Sequence, residues 1–183
     1  MPLLNRPMII CGIPEVAQHS SDQVTHVLSV ISPADRLPPA LAEFLDIDHE
    51  VIRFHDVLAE GADHTACSQE HIGRILRFGE RAHAAPGSRM LIHCHSGVSR
   101  STAAAAILMA QHAPGQEEEA FLRLMELRGW AWPNTRMIEI ADQLLERNGR
   151  LLSGLLAYRR ALLRIRPHYR DLVLQWRRSE LPE

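Results

Sequence analysis

The sequence contains no lysine, and all 20 of its Lys/Arg positions are arginine. Catalysis through a lysine Schiff base is therefore excluded. A formal net charge of −2 at pH 7 provides none of the overall positive charge that favours binding to nucleic acid, so no nucleic-acid partner is expected. The three cysteines are too few, and odd in number, for a disulfide scaffold, which indicates a reducing compartment.

Long apolar segments are also missing. The longest strongly apolar run, 102–110, is too short to span a bilayer. The first six residues lack the apolar core and cleavage site of a signal peptide. We therefore expect a cytoplasmic protein without a transmembrane segment. The 183 residues are enough for one domain with a real core.

The most informative segment is 93–101, which reads HCHSGVSRS. A short apolar run, 90–92, precedes it and an alanine-rich run, 102–110, follows it, so the segment is predicted to be a loop between a strand and a helix. Within this loop, Cys94 and Arg100 are six positions apart. Together they provide a nucleophile and an anion-binding group for attack on a phosphate ester.

The loop is predicted to bind a phosphate group. A phosphate monoester carries about two negative charges near neutral pH, which repel an anionic nucleophile unless the site neutralises them. Backbone N–H groups of the loop, the N-terminus of the following helix and the guanidinium fork of Arg100 can all do this, and Gly97 allows the positive φ such a loop needs. The predicted phosphate-binding residues are His95, Ser96, Gly97, Val98, Ser99 and Arg100.

Cys94 is the predicted nucleophile. A helix N-terminus and cationic neighbours favour the thiolate, which would attack phosphorus and form a phosphocysteine intermediate. Ser101 can donate a hydrogen bond to the sulfur and help it leave in the second step. His93 is expected to orient the loop rather than to transfer protons.

A metal site is the alternative interpretation of His93, Cys94 and His95. Consecutive residues of an extended segment point to opposite faces, however, and no Cys-x2-Cys or His-x3-His pair completes a set of four ligands. We therefore expect neither a metal nor another cofactor.

The Cys-x5-Arg spacing, with a histidine before the cysteine and a serine after the arginine, resembles the signature of the protein tyrosine phosphatase superfamily. The chain is most similar to its compact dual-specificity-type branch, in a bacterial-like version. The resemblance extends over about 8–148 and includes the strand-like 24–32, the segment 53–56 and the pair Pro133-Asn134. It implies that Asn134 braces the phosphate loop, although a simple helix N-cap is an equally compatible role.

The leaving group needs a proton, and the resemblance implies a carboxylic acid on a loop just after a strand. Residues 48–54 are predicted to form such a strand, which makes Asp56 the first candidate. Asp63, on the same apparently mobile loop, is the second candidate. His55 and His64 are further possible proton donors.

The predicted fold is α/β: a single domain with a central, mainly parallel sheet flanked by helices, the phosphate-binding loop between a strand and a helix, and extra C-terminal helices. Predicted strands are 7–11, 24–32, 48–54 and 89–93. Predicted helices are 38–45, 68–84, 100–112, 116–128 and 134–147.

Two regions are predicted: a cysteine-dependent phosphatase domain, 1–150, and an arginine-rich C-terminal helical extension, 151–183. The extension has seven arginines and three acidic residues, a net charge of 7 − 3 = +4. One amphipathic helix is expected before Pro167, and a second after it, with apolar residues Tyr169, Leu172, Val173 and Trp176. The helices could pack on the domain with a solvated arginine face, or they could bind a partner, a second copy or an anionic membrane surface.

The predicted function is hydrolysis of phosphotyrosine, phosphoserine or phosphothreonine in proteins. The loop interior contains no basic residue except one histidine, whereas phosphoinositide-directed relatives tend to carry lysines there. A small phosphorylated metabolite or an RNA 5′-phosphate is an alternative substrate. A rhodanese-type sulfurtransferase and a catalytically quiet phosphate-binding adaptor are the alternatives from other classes.

Overall fold

Four short strands form a parallel sheet, and its topology places β4 in the interior. A computed structural model describes residues 2–175 of the protein. The order in the sheet is β1-β4-β2-β3, and all three pairs are parallel. The strands are β1 (Met8–Gly12), β2 (His26–Ile31), β3 (Asp48–Arg53) and β4 (Met90–Cys94). β4 is therefore flanked on both sides, so its position is fixed by two hydrogen-bonded neighbours.

Helices follow and cover the strands. The α-helices are α1 (Gln69–Ala84), α2 (Arg100–Gln111), α3 (Glu117–Leu127), α4 (Thr135–Leu144), α5 (Arg150–Ile165) and α6 (Tyr169–Gln175). Three 3₁₀ helices span Leu3–Asn5, Ile13–His19 and Pro39–Glu43. This architecture confirms the predicted α/β domain with a parallel central sheet flanked by helices.

Both faces of the sheet are covered by apolar cores, as is usual for a parallel sheet. In β4, Met90 and Ile92 join the large core beneath the α-helices, whereas Leu91 joins a smaller core on the opposite face. α2 packs on the sheet and contains four consecutive buried alanines, 103–106. Small side chains allow the helix and the sheet to approach closely, which fixes the start of α2 relative to the end of β4.

The helix predicted over 38–45 is instead a short 3₁₀ helix, Pro39–Glu43. Proline at both 38 and 39 removes two N–H groups at the start of the segment, and the chain becomes extended at Phe44. Only a single short turn fits between these limits.

The helix predicted over 134–147 ends earlier than expected, at Leu144. The carboxylate of Asp142 accepts hydrogen bonds from the N–H groups of Gly149, at 2.6 Å, and Leu151, at 2.9 Å. These bonds fold the chain back after α4 and start α5, so the local side chain overrides the helical pattern.

α5 packs on the rest of the protein and contacts both α3 and α4. Leu151, Leu155 and Leu162 belong to the large core. One arginine of this helix is not solvated: Arg159 is 1% exposed, and its Nη2 donates to the carbonyl of Pro133 at 2.8 Å. For this helix the structure favours the packing interpretation over an arm that reaches away from the domain.

The second predicted C-terminal helix corresponds to α6. Its Tyr169 and Val173 are buried, whereas Trp176 lies outside the described residues, as do Arg177, Arg178, Glu180 and Glu183. The division of the chain at residue 150 remains a prediction. Within residues 2–175, no helix combines the length and the apolar character needed to cross a bilayer.

If α5 is part of the core, shortening one of its buried side chains will destabilise the whole domain. We expect Leu155→Ala to lower the free energy of unfolding by about 2–5 kcal/mol, because it leaves a cavity. Urea denaturation measures this, with Leu174→Ala as the control, since Leu174 is 55% exposed. Equal effects of the two substitutions would contradict the packing of α5.

Candidate active site

The predicted phosphate loop lies where β4 ends and α2 begins. Cys94 is the last residue of β4 and Arg100 is the first residue of α2, so five residues connect the strand to the helix. Both Cys94 and Arg100 are buried, with 1% and 3% of their surfaces exposed. The sheet and the buried helix α2 thus hold the two ends of the loop.

Backbone donors outside the loop hold its carbonyl groups away from Cys94. The carbonyl of His95 accepts from the N–H of Ile13 at 3.0 Å, and that of Val98 accepts from the N–H of Trp132 at 2.7 Å. In a trans peptide the C=O and the next N–H point in opposite directions. The N–H groups that follow these carbonyls are therefore directed towards the inside of the loop, where they can bind an anion.

The N-terminus of α2 is also available to an anion. Ser99 occupies the N-cap position, but its side chain makes no capping hydrogen bond and donates instead to Asp56 Oδ1 at 2.8 Å. The first N–H groups of a helix need acceptors that the helix itself does not provide. A bound oxyanion would supply them and would interact favourably with the helix dipole.

Only part of the hydrogen-bonding capacity of the Arg100 side chain is used within the described residues. Its Nη1 donates to the carbonyl of Phe54 at 2.8 Å and to Ser32 Oγ at 3.1 Å, which orients the guanidinium group. Its Nε is buried and has no hydrogen-bond acceptor among the described residues. Buried donors are normally satisfied, so this geometry suits an arginine that completes its hydrogen bonds with a ligand.

Two donors surround the sulfur of Cys94. Its Sγ lies 3.2 Å from the backbone nitrogen of Gly97 and 3.2 Å from Ser101 Oγ. When the sulfur is a thiolate, both groups can donate a hydrogen bond to it. The structure thus brings Cys94, Arg100 and Ser101 together, as the sequence predicts, although it does not test their roles.

His93 lies fully buried beneath the loop. Its Nε2 is 2.6 Å from Ser29 Oγ, which is also 2.8 Å from His49 Nε2. Burial lowers the pKa of His93 to about 4, and the nearby His49 contributes to this shift. The imidazole is therefore neutral at pH 7. A neutral, hydrogen-bonded histidine fits the predicted orienting role better than a role in proton transfer.

His95 points away from the buried interior. Its side chain is 71% exposed, and its Nδ1 lies 3.8 Å from Asp35 Oδ2. His93 and His95 therefore face different environments, because β4 ends at Cys94 and His95 lies in the loop beyond the strand. Within residues 2–175, no three His, Cys, Asp or Glu side chains form a group that could hold a metal ion.

Asp56 and Asn134 are joined next to the loop. Asp56 Oδ1 accepts a hydrogen bond from Asn134 Nδ2 at 2.8 Å as well as the bond from Ser99. Asn134 also caps α4, since its Oδ1 accepts from the N–H of Met137 at 3.2 Å. The geometry is compatible with both predicted roles of Asn134, since it is linked to the loop residue Ser99 through Asp56 and through its own N–H, which lies 3.4 Å from the carbonyl oxygen of Ser99.

Asp63 occupies a more remote position than Asp56. It is exposed in a turn that Gly61 and His64 close with a backbone hydrogen bond of 3.1 Å. The base of the same loop is anchored, because the N–H of His55 donates to the carbonyl of Thr65 at 2.7 Å. Asp56, which bonds to a residue of the phosphate loop itself, is therefore the better placed of the two carboxylates.

Sequence reasoning missed a pair of charged residues behind the loop. Arg128, just after α3, donates from Nε to the carbonyl of Gly97 at 3.1 Å. It also binds Glu15 through two hydrogen bonds of 2.9 and 2.6 Å. Arg128 holds the pKa of Glu15 below its usual value. No local pattern links positions 15, 97 and 128; only the fold brings them together.

Gly97 is required by both conformation and space. Its φ is +71°, and a Cβ atom would lie 2.6 Å from the carbonyl carbon of Cys11 and 2.6 Å from the nitrogen of Gly12. Any other residue would thus strain the backbone and collide with β1. This confines the loop to the space between β1 and α2.

Comparison of the fold with solved structures finds phosphatases. Human DUSP28 has 19% identity and a TM-score of 0.60, over 78% of this chain and 94% of that one. The Yvh1 phosphatase domain from Chaetomium thermophilum has 22% identity and a TM-score of 0.58, over 79% and 93%. The fold is that of the dual-specificity phosphatases. PTPMT1 in complex with PI(5)P also shares it, with 13% identity and a TM-score of 0.57 over 80% and 96%.

Comparison of the sequence gives no match: no protein-family model matches it, and no curated protein is significantly similar to it. Identities of 13–22% establish a dual-specificity phosphatase fold.

The buried state of His93 predicts an acid-sensitive fold. A folded-state pKa of about 4, against 6.5 for an unperturbed histidine, means that the unfolded chain gains a proton first as the pH falls. Stability is therefore complete above about pH 6.5 and decreases by about 1.4 kcal/mol per pH unit towards pH 4, to a total of about 3 kcal/mol from this group.

Urea denaturation at several pH values tests this expectation. His93→Gln should flatten the dependence of unfolding free energy on pH, because it removes the titrating group. His168→Gln is the control, since His168 is exposed. Identical pH dependence in wild type and His93→Gln would show that His93 is not held neutral by the fold.

Proposed function

We propose that the protein hydrolyses phosphomonoesters through a phosphocysteine intermediate on Cys94. The observation that carries the proposal is the placement of the Cys94 sulfur against an anion cradle whose other wall is Arg100, the buried Nε of which has no acceptor within residues 2–175. A nucleophile and a set of fixed oxyanion donors then act on the same phosphorus atom. Such preorganised donors are the main source of transition-state stabilisation in reactions of this kind.

In the first step, the Cys94 thiolate attacks phosphorus. The S–P bond forms and the bond between phosphorus and the leaving oxygen breaks, while Asp56 transfers its proton to that oxygen. Arg100 and the inward N–H groups neutralise the charge of the transferring phosphoryl group. The hydrogen bonds from Ser99 and Asn134 to Oδ1 orient the carboxyl group of Asp56.

In the second step, water attacks the phosphocysteine. Asp56, now a carboxylate, accepts a proton from this water, a new P–O bond forms and the S–P bond breaks. The hydroxyl of Ser101, 3.2 Å from the sulfur, donates to the thiolate as it leaves. The products are inorganic phosphate and the enzyme in its starting state.

The proposed substrates are proteins that carry phosphotyrosine, phosphoserine or phosphothreonine. The similarity of the fold to dual-specificity phosphatases supports this class. PTPMT1 was solved with PI(5)P, but the loop interior of this chain, 95–99, has no basic residue except His95 to bind the additional anionic groups of an inositol lipid. A small phosphorylated metabolite and an RNA 5′-phosphate are the alternatives, and a cytoplasmic location is part of the proposal.

Loss of the nucleophile tests the reaction type. Cys94→Ser should abolish hydrolysis of an aryl phosphate without added metal, while inorganic phosphate still binds, because the cradle is intact. Arg100→Lys should also lose most activity, by about a hundredfold, since a point charge cannot replace a fork. The control is Arg53→Lys, whose exposed side chain bonds to carbonyl groups of 32–35. Steady-state kinetics with a chromogenic substrate measures all four proteins.

If Cys94→Ser hydrolyses the aryl phosphate as fast as the wild type does, a phosphocysteine intermediate is ruled out. Thiosulfate:cyanide sulfur transfer without phosphatase activity would favour the sulfurtransferase instead. Binding of phosphate with neither activity would favour an adaptor.

The role of Asp56 predicts a dependence on the leaving group. Asp56→Asn removes the proton but keeps an oxygen that can accept from Ser99. Hydrolysis of an alkyl or phenyl phosphate should fall by about 10²–10⁴-fold, and that of a nitrophenyl phosphate far less, because nitrophenolate leaves without protonation. Asp63→Asn is the matched control and should change neither rate. Equal slowing of good and poor leaving groups would remove Asp56 from the acid role.

A further inference from the structure

The peptide unit on the C-terminal side of Gly97 is held in a way that differs from its neighbours. The carbonyls of His95 and Val98 each accept from a backbone N–H group, and that of Val98 also accepts from Thr102 Oγ1, whereas the carbonyl of Gly97 accepts from Arg128 Nε at 3.1 Å. The N–H of Gly97 itself points at Cys94 Sγ. The orientation of this glycine therefore affects the nucleophile and the anion cradle together.

Glycine restricts the backbone dihedral angles at this position less than any other residue type would. Its φ of +71° is accessible to glycine without strain, and so are several other backbone conformations. If the peptide between Gly97 and Val98 turned over, its carbonyl would face the anion and the N–H of Val98 would face outward. A carbonyl oxygen repels a phosphate oxygen, so an external donor is needed to prevent this rotation.

Contacts with Glu15 and Trp130 hold the guanidinium group of Arg128 in place, so that it can act as this external donor. Its Nη1 and Nη2 bind the two carboxylate oxygens of Glu15, and its guanidinium carbon lies 4.5 Å from the ring centre of Trp130. Glu15 Oε2 also accepts from the N–H of Gly12 at 2.6 Å, which ties the pair to the end of β1. The charge of Arg128 is thus already paired, and its Nε is directed at the loop.

We infer that Arg128 and Glu15 are positioning residues for the phosphate loop. Arg128 fixes the Gly97–Val98 peptide so that the N–H of Val98 faces the bound oxyanion and the N–H of Gly97 faces the Cys94 sulfur, and Glu15 orients Arg128. Neither residue acts on the substrate directly. The inference rests on the proposed function, because it concerns the same cradle.

Affinity for inorganic phosphate, measured by calorimetry, tests the inference without relying on turnover. Arg128→Met should raise the dissociation constant of phosphate by about tenfold or more, since the N–H of Val98 is no longer held towards the bound oxyanion. Arg128→Lys should not restore affinity, because one ammonium group cannot bind Glu15 bidentately and reach Gly97. Arg123→Met is the matched control: Arg123 is an α3 arginine paired with Glu126 at 2.7 Å on the surface.

Glu15→Gln provides a milder variant should Arg128→Met fail to fold. It keeps a hydrogen-bonding side chain but weakens the hold on Arg128, and we expect the phosphate dissociation constant to rise by about threefold. In the double variant, Glu15→Gln should add almost nothing to Arg128→Met, because both changes act through the same peptide. The value of kcat/KM for an aryl phosphate should follow the same order.

Two results would overturn the inference. A lower melting temperature in Arg128→Met and Glu15→Gln, with phosphate affinity and kcat/KM of the folded protein unchanged, would make the pair a purely structural ion pair. A wild-type protein that binds no phosphate would also contradict it. If the wild type binds phosphate but hydrolyses nothing, the proposed function fails while the affinities of the variants still decide the role of Arg128.

Discussion

The fixed direction of the peptide units between Cys94 and Arg100 is the constraint on which the candidate site depends. Each carbonyl that is held from outside directs an N–H group inward, and the cradle exists only while these external donors stay in place. The donors come from separate parts of the chain: the turn after β1, the end of α3 and the segment before α4. The core that holds these parts together therefore also holds the site.

This dependence gives the C-terminal helices a connection to the site. α5 packs against α3 and α4, and Arg159 within it donates to the carbonyl of Pro133, next to Trp132 and Asn134. Trp132 donates to the loop, and Asn134 bonds to Asp56. A helix far from Cys94 in the sequence thus supports two of the contacts that shape its surroundings.

The sequence predicts those parts of the structure that local patterns encode. The strand–loop–helix around Cys94 follows from an apolar run, a fixed spacing and an alanine-rich helix, and β1 to β4 lie within two residues of their predicted positions. The Glu15–Arg128 pair was not predictable, because its members are 113 positions apart and neither belongs to a motif. The early end of α4 was missed because one side chain, Asp142, competes with the helical pattern. Long-range contacts and side-chain capping are decided by tertiary structure, which periodicity does not record.

The central claim is that phosphate is transferred to the sulfur of Cys94. The most direct measurement is mass spectrometry of protein that is mixed with an aryl phosphate, quenched rapidly in acid and digested. The account predicts a phosphate group on the peptide that contains Cys94, present only while substrate is being turned over. Turnover accompanied by phosphate on a histidine or serine, or by no phosphorylated peptide at any quench time, would contradict it.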